Sequence, residues 1–491
     1  FTRRTSLVNN IYPALTALFA LYLLVTAVFL LLDNRSPQST FAWMLLFFTF
    51  PVVGVIVYLL FGRDTKAFSR ENRLVRQEIG GDLSHVLAPV LSQQDHEINK
   101  LARASNVSER KLLRLMRQNS LSTLTVHNCL EILQDAREKY PRLVEDFKAA
   151  KQSIHLQYYE WAADPLTEKI KAILIEKVRE GVEVRLLYDP IGSFSQITWR
   201  YIREMRAGGI EMYPFSPLYR LHTIGYRNHR KIAVIDGQIG YSGGLNIGQR
   251  QLDGGYGFKS WRDTHVRVVG EAAAILQAIF VIDWYNATRI NLSQPAYFPP
   301  LPAEAAGAYL PVQVTLSGPD SHWQAIRQLY FFMILAAEHH AYLQSPFFII
   351  DDSIAEALRA AALSGVEIKI MLAPWGAGNR TPYWAANTYI KDMVEAGIRV
   401  FFYQRGYFHP KTLSIDGKIC SIGSANMDIR SFSINYEANT VIYDAGIAQQ
   451  LEADFEKDLE HCTEFDLAEY EDQNIALKLR DSAARLFSPL L

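Results

Sequence analysis

The chain has 491 residues, 50 Lys+Arg against 51 Asp+Glu, and a formal net charge of −1. At about 100–200 residues per domain that allows two to four domains, and 49 % hydrophobic residues with 12 % aromatics exclude a disordered chain. The lack of a basic excess disfavours a dedicated nucleic-acid binder, and the scattered Cys129, Cys420 and Cys462 argue against a disulfide scaffold and a zinc ribbon.

The first predicted elements are two apolar helices. Ile11–Leu32 and Thr40–Phe61 are each 22 residues without a charge. At 1.5 Å per residue each reaches about 33 Å, enough to cross a hydrocarbon core of about 30 Å. The first run is too long for a signal peptide, and a second follows at once. Asp33–Ser39 between them permits only a tight hairpin. Arg3 and Arg4 precede the first run, and Arg63, Lys66, Arg70, Arg73 and Arg76 follow the second, against Arg35 alone in the loop. This bias places both ends in the cytoplasm. Pro51 and Gly54 are positions for a kink, which membrane helices tolerate, and Trp43 and Tyr58 suit the interfacial belts. Residues 1–62 are expected to form a transmembrane hairpin carrying a large cytoplasmic part.

Residues 63–125 read as a helical linker. Ser108 caps a predicted helix through Arg117, with Leu112, Leu113, Leu115 and Met116 set against Arg110, Lys111, Arg114 and Arg117. Two readings stand: an ordinary helix with a solvated charged face, or a basic amphipathic helix on anionic lipid. A C-terminal segment, 471–491, carries Ile475, Leu479, Ala483, Leu486 and Leu490 on one stripe, suited to core docking or to surface anchoring.

Between these lies an internal repeat. Gly181-Val-Glu-Val-Arg-Leu-Leu-Tyr188 matches Gly365-Val-Glu-Ile-Lys-Ile-Met-Leu372, and Gly208-Gly-Ile-Glu-Met-Tyr213 matches Ala396-Gly-Ile-Arg-Val-Phe401. Each unit reads as strand, helix, then a strand opened by Gly-Val or Gly-Ile, which is the pattern of an α/β sandwich. Two pseudo-twofold domains are expected, near 126–300 and 301–470, with Pro295–Pro302 as the junction.

The strongest match closes each copy. His229-Arg-Lys231-Ile-Ala-Val-Ile-Asp236 followed by Gly243-Gly244-Leu-Asn246 parallels His409-Pro-Lys411-Thr-Leu-Ser-Ile-Asp416 followed by Gly423-Ser424-Ala-Asn426. A His and a Lys two apart on a strand share a face, and a dyad gathers two imidazoles and two ammonium groups in one cleft. Phosphodiester transfer needs a nucleophile, a proton donor and positive charge around the phosphate oxygens; these groups supply all three without a metal. Asn246, Ser424 and Asn426 add hydrogen bonds to phosphate oxygens. Asp236-Gly237 and Asp416-Gly417 are also strong hairpin-turn signals, so a structural role for these aspartates weighs at least as much as a chemical one.

The duplicated His-Lys-Asp pattern resembles the phospholipase D superfamily. The resemblance implies two phospholipase D-like α/β/α sandwich domains and a catalytic set of His229, Lys231, Asp236, His409, Lys411 and Asp416. One histidine attacks phosphorus to form a phosphohistidine and the other protonates the leaving alcohol, assigned here as His229 and His409. Acids at Asp263 (Trp261-Arg-Asp263) and Glu437 (Asn435-Tyr-Glu437) would orient the imidazoles. From the sequence, no acidic or cysteine partner that would complete a metal site with His339-His340 is expected. His155, His222 and His265 read as core or surface residues, and Cys420 as buried and inert. Trp375, Tyr383 and Trp384 either line a lipid-entry groove or pack.

Within the superfamily, the two apolar runs, Tyr188-Asp-Pro-Ile-Gly-Ser193, Gly243-Gly-Leu-Asn-Ile-Gly248, Trp261-Arg-Asp-Thr-His265, Asp283-Trp284, Asp428-Ile-Arg-Ser431 and Phe487-Ser-Pro-Leu-Leu491 are similar to bacterial cardiolipin synthases. Pro374–Arg380 departs from the family, which often has an acidic residue there. The resemblance implies phosphatidyl transfer between two phosphatidylglycerols, giving cardiolipin and glycerol, with no cofactor, metal or nucleotide. It also implies anionic membrane lipids rather than nucleic acid as partners, and the bacterial cytoplasmic membrane as location; a homodimer stays open. A hydrolytic phospholipase D shares the same catalytic residues. A superfamily nuclease is disfavoured by the charge balance, and a non-enzymatic membrane scaffold has no need of two intact His-Lys pairs.

Overall fold

The computed structural model describes residues 2–32, 37–58, 78–104, 107–120, 122–217, 225–255, 257–374 and 380–488. The chain divides into two compact units, one comprising Ser69–Pro217 and Tyr226–Leu491 and the other the remainder.

The smaller unit holds helices α1 (Thr2–Leu32), α2 (Pro37–Thr49) and α3 (Pro51–Val57). The single helix expected over 40–61 is interrupted at Phe50, with φ −133° and ψ 73°, because a proline disfavours helical backbone in the residue before it. Residues 59–61 lie outside the described residues, as do Arg35, Arg63, Lys66, Arg70, Arg73 and Arg76. Among the described residues no helix is long and apolar enough to cross a membrane; the side chains of α1 are described from Thr16 onward. Leu30, Phe47 and Tyr58 pack together, whereas Leu18, Leu24, Leu32, Phe41, Leu45 and Val52 are exposed.

Two mixed sheets dominate the larger unit. The first contains β1 (Asn128–Leu133), β2 (Ser153–Tyr158), β3 (Glu183–Tyr188), β4 (Glu211–Pro214), β5 (Ile232–Ile235), β6 (Ile239–Gly243) and β7 (His265–Gly270), in the order β1-β7-β6-β5-β2-β3-β4. The second contains β8 (Val312–Ser317), β9 (His340–Ser345), β10 (Glu367–Leu372), β11 (Arg399–Tyr403), β12 (Thr412–Ile415), β13 (Ile419–Gly423) and β14 (Glu437–Ile442). Their order, β8-β14-β13-β12-β9-β10-β11, repeats the first, with Leu124–Thr125 added beside β8 and Cys462–Glu464 beside β11. In both sheets three parallel strands meet an antiparallel hairpin.

Helices α4 (Ala136–Ala149), α5 (Pro165–Arg179), α6 (Trp199–Ala207) and α7 (Glu271–Thr288) accompany the first sheet. Their counterparts are α8 (Ala325–Ala336), α9 (Asp352–Leu363), α10 (Thr381–Glu395) and α11 (Ala445–Leu459). Side-chain alternation along β2 explains two helical layers: Ile154, Leu156 and Tyr158 join the core that includes α4 and α5, while His155 and Gln157 bond Gln277 and Asp283 of α7. Asp164 and Asp351 cap α5 and α9, and Gly181 and Gly365 end them at φ +93° and +101°, a left-handed backbone that a side chain would strain. A third core joins the halves, with Ile232, Val234, Val266 and Val268 packed among Val314, Cys420, Ile422 and Ile442.

The helix at Val107–Ser120 docks on the second half. Leu112 and Met116 lie in one core with Ile326, Leu329 and Met333, and Leu113 in another with Leu124 and Val126, while Arg110, Lys111 and Arg114 are exposed. The solvated-face reading is the correct one of the two. The C-terminal helix α12 (Ile475–Arg485) corrects the core-docking alternative: it meets α10 through Asp481 to Asn387 and Arg485 over Tyr389, leaving Ile475, Leu479, Ala483 and Leu486 exposed. Leu490 lies outside the described residues.

Asp236 and Asp416 sit in the β5–β6 and β12–β13 turns, each with positive φ and followed by a positive-φ glycine, the backbone of the favoured two-residue hairpin. Asp236 accepts from the amides of Lys151, Gln152 and Ser153, and Asp416 from those of Glu338, His339 and His340, at 2.8–2.9 Å. Both carboxylates are consumed in holding the turn to the start of the adjoining strand, which corrects their catalytic assignment. Burial raises the Asp416 pKa, but the three amides outweigh it and hold the group below its ordinary value. Asp416→Ala is expected to cost about 2–4 kcal/mol, read as a lower thermal midpoint with the motif histidines unaffected. The wild-type stabilisation is full above the ordinary carboxylate pKa of about 4 and is lost as pH falls through the depressed value.

Candidate functional site

His229 and Lys231 enter β5, and His409 and Lys411 enter β12, at the edge where β2–β3 and β9–β10 reach their carboxyl ends. Sites on open α/β sheets gather at such edges because the following loops converge there. The backbone then ties each motif to the opposite half. Asn228 bridges Tyr436 in parallel, and the His229 amide donates to the Tyr436 carbonyl at 2.9 Å. Tyr407–Phe408 pairs in parallel with Trp261–Arg262, and the His409 amide donates to the Arg262 carbonyl at 2.8 Å.

This pairing crosses the acids between halves. His229 Nδ1 lies 3.0 and 3.1 Å from the two Glu437 oxygens, and His409 Nδ1 lies 2.7 Å from Asp263 Oδ2. The carboxylates are fully buried and the histidines 8 % exposed. Burial raises the Glu437 and Asp263 pKa values, but the facing histidine and nearby lysine prevail and keep both low, so they are ionised acceptors. Each imidazole therefore donates from Nδ1–H and keeps an Nε2 lone pair.

The lysines share the electrostatics of one cleft. Lys231 acts on His409, and Lys411 on His229. Burial, then Lys411, pushes the His409 pKa down to about 3; burial lowers His229 as well. Burial holds Lys231 well below its ordinary value and brings Lys411 down to about 8. Both ammonium groups donate to the carbonyl of the histidine two residues before them.

The G-[GS]-x-N turns differ between halves for a steric reason. Ser424 Oγ donates to Glu437 Oε2 and accepts from the Ala438 amide, so it supports the acid instead of facing a phosphate, which corrects its assignment. At Gly244 a Cβ would fall 1.9 Å from Asp263 Oδ1, so the shorter acid occupies the space that Ser424 fills in the other half. Asn246 Oδ1 accepts from the Glu160 amide at 3.2 Å; Asn426 bonds Asp428 and has its Oδ1 buried without a partner.

Several positioning residues escaped the sequence reading. Arg230, between His229 and Lys231, bonds Asp283 and the Glu437 carbonyl, with Gln157 also on Asp283. The second motif has Pro410 at this place and cannot supply a guanidinium. Arg262, from the other half, takes over, bonding Asp458 and the Asp263 carbonyl with Gln344 also on Asp458. Asp189 receives the Asn228 amide at 2.9 Å and Arg227 at 3.2 Å. The Tyr159 ring lies edge-on to His229 with centroids 4.8 Å apart. Asp283 and Asp189 fell within noted motifs, but their partners are distant in sequence.

Other candidates separate from the cleft chemistry. His155 stacks on Phe280, His340 pairs with Glu452 at 3.1 Å, and Cys420 lies in the inter-half core. His265 is buried with neither ring nitrogen partnered. Tyr383 packs on Phe347 and Trp384 under Arg480, so both pack; Trp375 and His222 lie outside the described residues. Among the described residues no group of three or more His, Cys, Asp or Glu is arranged to hold a metal.

A family model described as cardiolipin synthase, phospholipase D-like domain, matches residues 143–280 and 330–459, and a phospholipase D-nuclease N-terminal model matches 18–63. The chain is 37 % identical over 488 residues to a cardiolipin synthase of Geobacillus sp. (strain WCH70), covering 98 % of this chain and 95 % of that one. It is 37 % identical over 485 residues to the major cardiolipin synthase of Bacillus subtilis (strain 168), covering 97 % and 98 %. In fold it resembles the crystal structure of phosphatidylserine synthase from Haemophilus influenzae Rd KW20, with TM-score 0.58, 15 % identity, and coverage of 78 % and 100 %.

Gly244→Ala is expected to displace Asp263 and with it His409, lowering turnover about 100-fold or more. Ser424→Ala removes one hydrogen bond from Glu437 and is expected to lower it about tenfold. Steady-state rates of the purified, folded variants check both.

Proposed function

This chain belongs to the cardiolipin synthase family of the phospholipase D superfamily and is a phosphatidyltransferase that makes cardiolipin, and on that premise we propose that it joins two phosphatidylglycerols with release of glycerol through a phosphohistidine on His229. The observation that carries this reading is the crossed pair of buried carboxylate–imidazole contacts, which leaves two Nε2 atoms and two ammonium groups for one phosphodiester.

His229 Nε2 attacks phosphorus of the first lipid. The bond from phosphorus to the headgroup oxygen breaks, and His409 gives that oxygen its proton, releasing glycerol. A glycerol hydroxyl of the second lipid then attacks phosphorus, His409 takes its proton, and the P–N bond breaks to give cardiolipin. Lys231 and Lys411 offset the charge on the non-bridging oxygens, with Asn246 and Asn426 beside them. In the free cleft His409 is neutral, because burial and Lys411 disfavour its proton. An entering phosphodiester anion reverses the Lys411 effect and so recruits the proton the acid needs.

In this reading residues 126–300 and 301–470 are the two catalytic halves, 63–125 a linker and 471–491 a C-terminal segment. Residues 1–62 form a membrane hairpin of the bacterial cytoplasmic membrane with both ends on the cytoplasmic side. The Lys/Arg distribution, the N-terminal family match over 18–63 and the exposed apolar side chains of α1–α3 support that anchoring.

Purified protein with phosphatidylglycerol vesicles is expected to yield cardiolipin and glycerol by mass spectrometry. His229→Ala and His409→Ala should each abolish turnover, with a phosphatidyl adduct trapped on His229 in His409→Ala. Phosphatidic acid as main product, or an adduct on His409, would overturn the scheme. Binding of dimethyl phosphate near pH 6 is expected to take up about one proton, seen as a buffer-dependent calorimetric enthalpy. Because the acid His409 is unprotonated in the free cleft and Lys411 is charged only below about 8, kcat/KM is expected to fall with rising pH already across the neutral range and to fall more steeply above about 8.

A further inference from the structure

The loop after β3 lies at the same sheet edge as His229, and its side chains are distributed unlike those of an ordinary surface loop. Phe194 is 70 % exposed, Trp199 77 % and Ile191 39 %. The backbone that presents them is held firmly. Asp189 receives the amides of Ile191 and Gly192 at 2.9 and 3.0 Å, and Ser193 Oγ accepts from the Trp161 amide at 3.0 Å. A Cβ on Gly192 would fall 2.3 Å from the Tyr159 carbonyl oxygen, so the loop packs directly on the residue whose ring faces His229. Asp189 Oδ2 also receives the Asn228 amide. One buried carboxylate thus fixes both the apolar loop and the strand leading into the His229 motif.

The flank is basic. Arg200, Arg203 and Arg206 follow on α6, all exposed. Arg200 pairs with Glu204 at 2.8 Å, Arg206 bonds the Met212 carbonyl, and Arg203 has no ion-pair partner among the described residues. Large apolar and aromatic side chains rimmed by arginines match an anionic lipid surface, the rings entering the headgroup–acyl boundary and the guanidinium groups meeting phosphates.

We propose that Ile191, Phe194 and Trp199 form an interfacial wedge that inserts into an anionic phospholipid leaflet and holds the mouth of the cleft at the level of the substrate phosphodiester. This rests on the reading that the substrates are membrane phospholipids. Because Asp189 couples wedge and motif rigidly, insertion sets the depth at which His229 meets phosphorus.

The test uses the full-length enzyme on two forms of phosphatidylglycerol: bilayer vesicles, and a short-chain lipid kept monomeric in solution. Phe194→Ser/Trp199→Ser is expected to lose activity on vesicles by about 10–100-fold, from the exposed ring area no longer buried, and to retain it on the monomeric lipid. Phe194→Leu/Trp199→Phe should restore most of the vesicle activity. In parallel, p-benzoylphenylalanine replaces Phe194 or, at the distal β12–β13 turn, the exposed Lys418. Illumination on vesicles should give a phospholipid adduct at 194 and none at 418. Equal losses on both substrates, no loss on vesicles, adducts at both positions or neither, or a crosslink between two chains at 194 would each overturn the wedge. Wild-type enzyme that makes no cardiolipin from either substrate would instead sink the substrate reading.

Discussion

The structure depends on an exchange of acids. Each catalytic-type histidine draws its carboxylate from the other half, so neither half holds a completed imidazole alone. Burying these charges is costly unless they are paired and hydrogen-bonded, and short inter-half strand pairs meet that condition by fixing backbone on both sides of each contact. The apolar core shared between the sheets brings the halves together; the exchanged acids decide how they register.

The supports around the exchange are symmetric in space though not in sequence. A guanidinium bridges a helix aspartate and the carbonyl of each orienting acid, yet it comes from Arg230 on one side and Arg262 on the other. The reason is Pro410, which takes the place of an arginine next to His409. The Asp263–Gly244 and Glu437–Ser424 combinations form a similar compensation: one acid sits with a hydroxyl, and the other itself fills the space that a missing side chain leaves. A substitution read one motif at a time misses this coupling.

Burial in the same cleft also sets its protonation. Depressed histidine pKa values favour a free nucleophile and disfavour a ready acid, so in the proposed scheme the acid is charged by substrate arrival. In that scheme binding energy of the phosphodiester goes partly into placing a proton where the leaving group needs it, an effect realised only with the substrate in place.

Some of this was legible in the chain alone. Two copies of a His-Lys spacing, a strand–helix–strand repeat and Asp-Gly turns follow from local periodicity and backbone preference, and each became the element expected. The motif aspartates were harder, because the same Asp-Gly pair suits a turn and a catalytic acid; three converging amides decide for the turn. The break before Pro51 was legible because a proline acts on the residue before it, whereas a helical stripe did not reveal whether it faces protein or solvent, since that depends on what packs against it. The sequence by itself determined which chemical groups this protein carries and that they come in two matched sets. Only the tertiary structure decided which acid serves which histidine, because that pairing joins residues 208 and 146 positions apart through strand contacts that no local pattern encodes.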